Sequence, residues 1–388
     1  MTMSDLKTAS VFADSKQHFL ILDALRGVAA LMVVLFHVFE IYSDGDHVKQ
    51  FINHGYLAVD FFFMLSGYVM AHAYDDRWDT MSLKAFFKRR LIRLHPMIIA
   101  GMVIGALCFF FQESPMFPNI ANTSLGQMLL IFVIGCTLVP VPPSMDIRGW
   151  TEMHPLNGPA WSLFFEYIAN ILHALILRHL SKLVLAVLLG IAAVALIHLG
   201  VTSPKGDIIG GWSIDATQLH IGFTRLLFPY LAGMLLRRAV KVGTGKNTFV
   251  GTALLLIAAL GMPRIGGYEH LWANGLYDSL TVILLFPIII YFGATGKVVG
   301  NASEKICTFL GDISYPIYII HYPIVYIFYA WVTNNQVPIE EGIWVGMSLF
   351  PLILLLSYAA LKGYDERVRK WLAKKFLTSD LKSKTAKN

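Results

Sequence analysis

The chain has 388 residues, 56% of them hydrophobic and only 14% charged, with a formal net charge of +6. Soluble domains carry roughly 25% charged residues, so a soluble globular enzyme is excluded. An all-α, polytopic transmembrane helix bundle is expected instead, with membrane lipid and no nucleic acid as the partner of the basic excess. Eleven apolar runs approach the length that crosses about 30 Å of hydrocarbon: residues 20–41, 55–74, 94–112, 124–140, 159–178, 182–200, 220–238, 248–262, 275–293, 311–332 and 342–362.

The first run carries ionisable groups where lipid penalises them. Asp23, Arg26, His37 and Glu40 fall on one helical face, and Arg26 and His37 stand about three turns, roughly 16 Å, apart along the axis. Ionisable groups at membrane depth face a bundle interior or a wet cavity and mark a pathway or an active site. This helix is therefore expected to line a functional chamber. Its charges and the lack of a small-residue cleavage site argue against a removed signal segment.

In the second run, Gly55 to Tyr68, Asp60 sits about one turn inside the membrane. A short loop joins it to the first helix, so the two are neighbours. Asp60 is read either as a partner that fixes the His37 imidazole or as a helix-packing hydrogen bond. Ser82 then predicts an N-cap for an amphipathic basic helix, in which Arg90 and Arg93 lie one turn apart and can present two guanidiniums to one phosphate.

Lys84, Lys88, Arg89, Arg90 and Arg93 place that loop in the cytoplasm, as do Arg178 and Lys182, Arg237 and Arg238, Lys297 and Lys305, and the tail from Lys362. Eleven crossings cannot satisfy this pattern. Run 124–140 is short, holds Gly126 and Gly135 and ends in Pro140, Pro142 and Pro143, so it is expected to be re-entrant or interfacial. The expectation is about ten spans with both termini cytoplasmic: an N-terminal segment 1–18, a transmembrane domain 19–365 and a basic tail 366–388.

Downstream, Pro159 opens a helix on which Ser162, Glu166, Asn170 and His173 recur along one face. A buried Glu is paired or protonated, and His37 or Arg225 is the expected partner of Glu166. Trp161 is an interfacial belt residue or a substrate contact. Arg225 lies inside a later span. Ser314, Tyr318 and His321 share a face near the end of the chain, with His321 read first as a helix-to-helix hydrogen bond. Cys108, Cys136 and Cys307 have no metal or redox spacing, so buried thiols and no metal are expected.

The ordered set of these segments resembles the acyltransferase 3 family of integral membrane O-acyltransferases. It comprises LDALRGVAALMVVLFH, GYLAVDFFFMLSGY, the Arg-x-x-Arg pair before Leu-His-Pro, WSLFFE, the Arg225 to Gly233 helix and SYPIYIIH, over about residues 20–330. The resemblance implies transfer of an acyl group, usually acetyl from cytoplasmic acetyl-CoA, to a hydroxyl of a carbohydrate, lipid-linked glycan or other acceptor, at a bacterial inner (plasma) membrane. It puts the family's Arg and His signature on Arg26 and His37, and its donor-side basic pair on Arg90 and Arg93. His95 stands where many relatives have Tyr. Many relatives also continue into a hydrolase-like domain, for which only a short basic tail stands here.

On that chemistry His37 is the expected general base. Arg26, Arg90 and Arg93 guide and hold the donor, and Glu166 and Asp60 orient His37. Trp161, Ser162, Arg225, Tyr318 and His321 are the expected substrate contacts. The competing class is a secondary transporter or channel, which uses intramembrane charge equally. The internal repeats common in transporters are not visible between residues 20–190 and 200–362.

Overall fold

A computed structural model describes residues 18–43, 45–240 and 245–377. The described residues are about 75% helical, without strands. Their helices are α1 (Leu20–Glu40), α2 (Ala58–Tyr74), α3 (Leu83–Cys108), α4 (Leu125–Gly135), α5 (Ala160–Leu175), α6 (Lys182–Thr202), α7 (Ala216–Ala239), α8 (Phe249–Gly261), α9 (Leu271–Leu280), α10 (Phe286–Thr295), α11 (Asn301–Asn335), α12 (Ile339–Ala360) and α13 (Glu366–Phe376).

Single π-turns join α9 to α10 and α12 to α13, which makes each pair one long segment. Among the described residues, eight segments are long and apolar enough to span a bilayer. The protein is an integral membrane helical bundle. Eight of the ten runs expected to cross fall on these segments, and the other two fall on helices shorter than a span, α5 with 16 residues and α8 with 13. Helix α4 has 11 residues and is about 16 Å long at 1.5 Å per residue, half the hydrocarbon thickness.

Local chemistry sets the helix starts. Ser82, Ser124, Ser181 and Asp215 each accept a hydrogen bond from a backbone N–H in the following first turn, satisfying donors that a helix leaves open. Helix α3 runs without interruption through Pro96, so the basic amphipathic segment and the third span are one element. Lipid takes the outer surface: Leu183, Val187, Ile191 and Val194 are exposed along one side of α6.

The core is organised around α11, whose 35 residues extend about 52 Å. Helix α1 packs along it, α2 packs along α7, and α3 lies against α11. Pro323 removes the N–H that would bond Ile319 O. Asn157 Nδ2 donates to that freed carbonyl at 2.9 Å, and Gln112 Nε2 donates to Pro323 O at 2.8 Å. The proline thus anchors the loop before α5 to the central helix. Helices α2 and α7 meet through Gly67 and Gly233: a Cβ on either would lie about 2 Å from a backbone oxygen of the other helix.

The basic segments converge at one end. Arg238 clamps Asp75 at 2.6 and 3.1 Å and donates to Leu180 O, Arg178 covers the Trp78 ring at 4.1 Å, and Lys88 reaches Phe376 O. The expected tail is helical as far as Phe376, and α13 packs on α3 through Ile92, Ala373 and Leu377. Residues 1–17 and 378–388, which hold most of the two expected cytoplasmic ends, lie outside the described residues.

Candidate active site

The bundle interior holds a column of polar side chains that begins opposite the basic end. On the last turn of α1, His37 Nδ1 lies 2.7 Å from Glu40 Oε2. Tyr329 of α11 donates its hydroxyl to the same carboxylate oxygen at 2.9 Å and to His37 O. Glu40 therefore holds Nδ1 as the protonated nitrogen and leaves Nε2 with the basic lone pair. The edge of Tyr322 meets the imidazole at a centroid distance of 4.4 Å, and His321 stacks on it at 5.5 Å and 25°.

His321 does not make the helix-to-helix hydrogen bond expected of it. Its Nδ1 bonds Ile317 O of its own helix at 3.0 Å, while Nε2 is buried without a hydrogen-bond partner. One turn along α11, Tyr318 pairs with Ser162 at 2.7 Å, and Ser162 donates to Pro159 O. This pair ties α11 to the start of α5. Asp60 does not hold His37: it is fully buried against Arg225, with Nη2 2.6 Å from Oδ2. Arg225 also donates to Gly210 O and Tyr56 O, and its guanidinium lies 5.3 Å from the Trp161 ring centre. Trp161 is thus a buried wall over an ion pair rather than a belt residue.

Toward the basic end, Glu166 pairs with neither His37 nor Arg225. Its Oε1 accepts from Arg90 Nη2 at 2.6 Å and from Ser66 at 2.7 Å. The sequence spacing of Arg90 and Arg93 placed both on one helix, but their surroundings differ. Arg90 is buried beside Glu166 with its Nε unpartnered, and Arg93 is exposed. Arg93 lies within electrostatic reach of Arg90, Arg26 and Asp23, and Arg26 is braced by Asp23 at 2.7 Å. Glu166 on α5 and Asp23 on α1 thus hold a cluster of three arginines at the end of α1 opposite His37.

A family model of the acyltransferase domain matches residues 19–362. The chain belongs to the acyltransferase 3 family. Among curated relatives it is similar to the O-acetyltransferase OatA of Staphylococcus aureus, 24% identical over 352 residues that make up 87% of this chain and 55% of that protein. It is also similar to protein 2 of the picA locus of Rhizobium radiobacter, 32% identical over 169 residues, 41% of this chain and 82% of that protein. The chain spans about half the length of the O-acetyltransferase relatives it matches. No solved structure matches it.

In this acyltransferase 3 domain, the basic end holds side-chain donors that suit an anionic group. The unpartnered Arg90 Nε and the exposed Arg93 offer donors to phosphate oxygens. Sequence reasoning placed Glu40 in the polar stripe but gave its role to Asp60 and Glu166. The three-residue spacing from His37 was the available signal. It missed Tyr322 and Tyr329, which read as ordinary core aromatics. It also missed buried Glu152, which accepts from Tyr326 and lies 3.3 Å from Arg148. Tyr326 stands 174 residues from Glu152, which hides that partner from the sequence, whereas Arg148 stands only four residues away.

Proposed function

We propose that this protein is a membrane O-acetyltransferase that moves an acyl group, acetyl in the first instance, from cytoplasmic acyl-CoA to a hydroxyl of a carbohydrate or lipid-linked glycan acceptor. The observation that carries the reading is the His37–Glu40 pair at one end of the column, with Arg26, Arg90 and Arg93 at the other. The arginines suit the donor's phosphates, and the roughly 16 Å along α1 suits an extended pantetheine arm. The basic end is then the cytoplasmic face of a bacterial inner membrane, with both termini on that side. The O-acetyltransferase name of the Staphylococcus relative supports the same reaction.

The donor supplies an activated acyl carbonyl. His37 Nε2 takes the proton of the acceptor hydroxyl as its oxygen forms the ester bond, and returns it to the thiolate when the carbon–sulfur bond breaks. Glu40 stabilises the imidazolium that exists between those events and keeps the ring from rotating. Nε2 of His321, also an acceptor while Nδ1 serves Ile317 O, belongs to a ring whose centre lies 5.5 Å from that of His37. It suits a neighbouring hydroxyl of a polyol acceptor.

The test is thiol release from acetyl-CoA by purified protein in nanodiscs. His37→Ala is expected to lower turnover by about 10²- to 10⁴-fold, and Arg90→Ala with Arg93→Ala to raise the donor requirement. Absence of release and of acetyl-CoA binding in the wild type would overturn the proposal in favour of transport through the same column.

A further inference from the structure

Below Glu166, toward the basic end, the inner face of α5 gathers polar atoms without hydrogen-bond partners, one of which, His173 Nε2, lies 3.8 Å from the Asp75 carboxylate. Both amide atoms of Asn170, both ring nitrogens of His173, the Tyr230 hydroxyl, Trp78 Nε1 and Arg90 Nε are sealed from solvent without a hydrogen-bond partner. The group is contiguous. His173 lies 6.3 Å from the Trp78 ring, 6.3 Å from Tyr230 and 6.4 Å from a nearly parallel Phe86, and Asn170 precedes it by one turn. Tyr230 and His173 both lie within electrostatic reach of Arg90.

Each buried polar atom left unpaired costs on the order of 1–3 kcal/mol, and native interiors contain only a few per hundred residues. Seven such atoms between four helix ends are out of proportion for packing alone. Their chemistry is that of a planar heterocycle with donors and acceptors on its edge. A carboxamide pairs with both the amino group and the ring nitrogen of adenine, the pairing by which Asn reads that base in nucleic acids. Trp78, Phe86 and His173 offer ring faces of the kind on which bases stack. Arg90 and Arg178, over Trp78, flank the group as phosphate partners.

We infer that Asn170, His173, Trp78 and Tyr230 form a purine-recognising subsite that takes the adenine of the nucleotide-bearing donor. The inference rests on the acyl-CoA reading above and gives it a direction. The base lies nearest the basic surface, the phosphates at Arg90 and Arg93, and the thioester at His37. The rings pack together in this structure, so the base enters by parting Trp78 and Phe86 from His173.

Two measurements test it. In nanodiscs, ADP is expected to bind the wild type at least about tenfold more tightly than GDP, and Asn170→Leu, which keeps the volume without the amide, to abolish that preference. In turnover, Asn170→Leu is expected to raise KM for acetyl-CoA at least about tenfold more than KM for S-acetyl-pantetheine, which lacks the nucleotide. Equal binding of ADP and GDP, or equal loss with both donors, would overturn the subsite. Selective ADP binding by a wild type that releases no thiol from either donor would keep the purine site and sink the acyltransferase reading instead.

Discussion

His37 and Glu40 are joined within one turn of α1, Nδ1 to Oε2 at 2.7 Å, and Tyr329 of α11 closes the pair from the neighbouring helix. In the proposed reaction, the base and its orienting carboxylate are therefore preset by a single helix. Glu40→Gln keeps the size and removes the charge that stabilises the imidazolium. Turnover of acetyl-CoA is expected to fall about 100-fold or more with little change in KM. Tyr329→Phe, which leaves Glu40 with His37 alone, is expected to cost about tenfold or less. Glu40→Gln at wild-type kcat would rule out the orienting role.

Asp60 and Arg225 make a buried pair whose worth lies in holding α2 to α7. Asp60→Asn leaves the guanidinium buried without a counter-charge and is expected to destabilise the protein by about 3–5 kcal/mol. Asp60→Leu combined with Arg225→Met removes both charges and is expected to recover much of that loss. Thermal unfolding in detergent checks the order. A double variant as unstable as Asp60→Asn would mean that the pair serves more than packing.

Burial raises the Glu152 carboxyl to about 7, against the opposing pull of Arg148. The unfolded chain ionises this group near the ordinary value of 4.5, so between those two values the unfolded state gives up a proton that the folded state keeps. Stability contributed by Glu152 is thus present below about pH 4.5, falls as pH rises toward 7 and stays lost above it, by about 3 kcal/mol in all. Glu152→Gln is expected to flatten the decline in melting temperature between pH 5 and 8. An unchanged decline would mean that Glu152 ionises normally.

The membrane class, the bundle and the polar stripe of α1 were legible because each is a one-dimensional pattern: apolar length, basic loops and spacing on a single helix. The partners were not. Arg225 stands 165 residues from Asp60 and Arg90 stands 76 from Glu166, and a carboxylate in lipid advertises only that it needs a cation, not which one. The strongest local signal, Glu40 three residues after His37, was on the page. It was outweighed by Asp60, which only the packing of α2 on α7 takes away from His37.

Glu166 separates the two accounts of this site most cleanly. Its carboxylate grips Arg90 and Ser66, so its work is to aim a guanidinium. Glu166→Gln loosens Arg90, and KM for acetyl-CoA is expected to rise by about tenfold, with kcat at saturation and its pH profile near those of the wild type. Arg90→Lys is expected to act alike, because an ammonium cannot bond Glu166 and a phosphate in the same fork. Were Glu166 instead coupled to His37, the substitution would lower kcat and shift its pH dependence while leaving KM alone. Steady-state kinetics at two pH values distinguish the outcomes, and the 2.6 Å contact with Arg90 is the reason to expect the first.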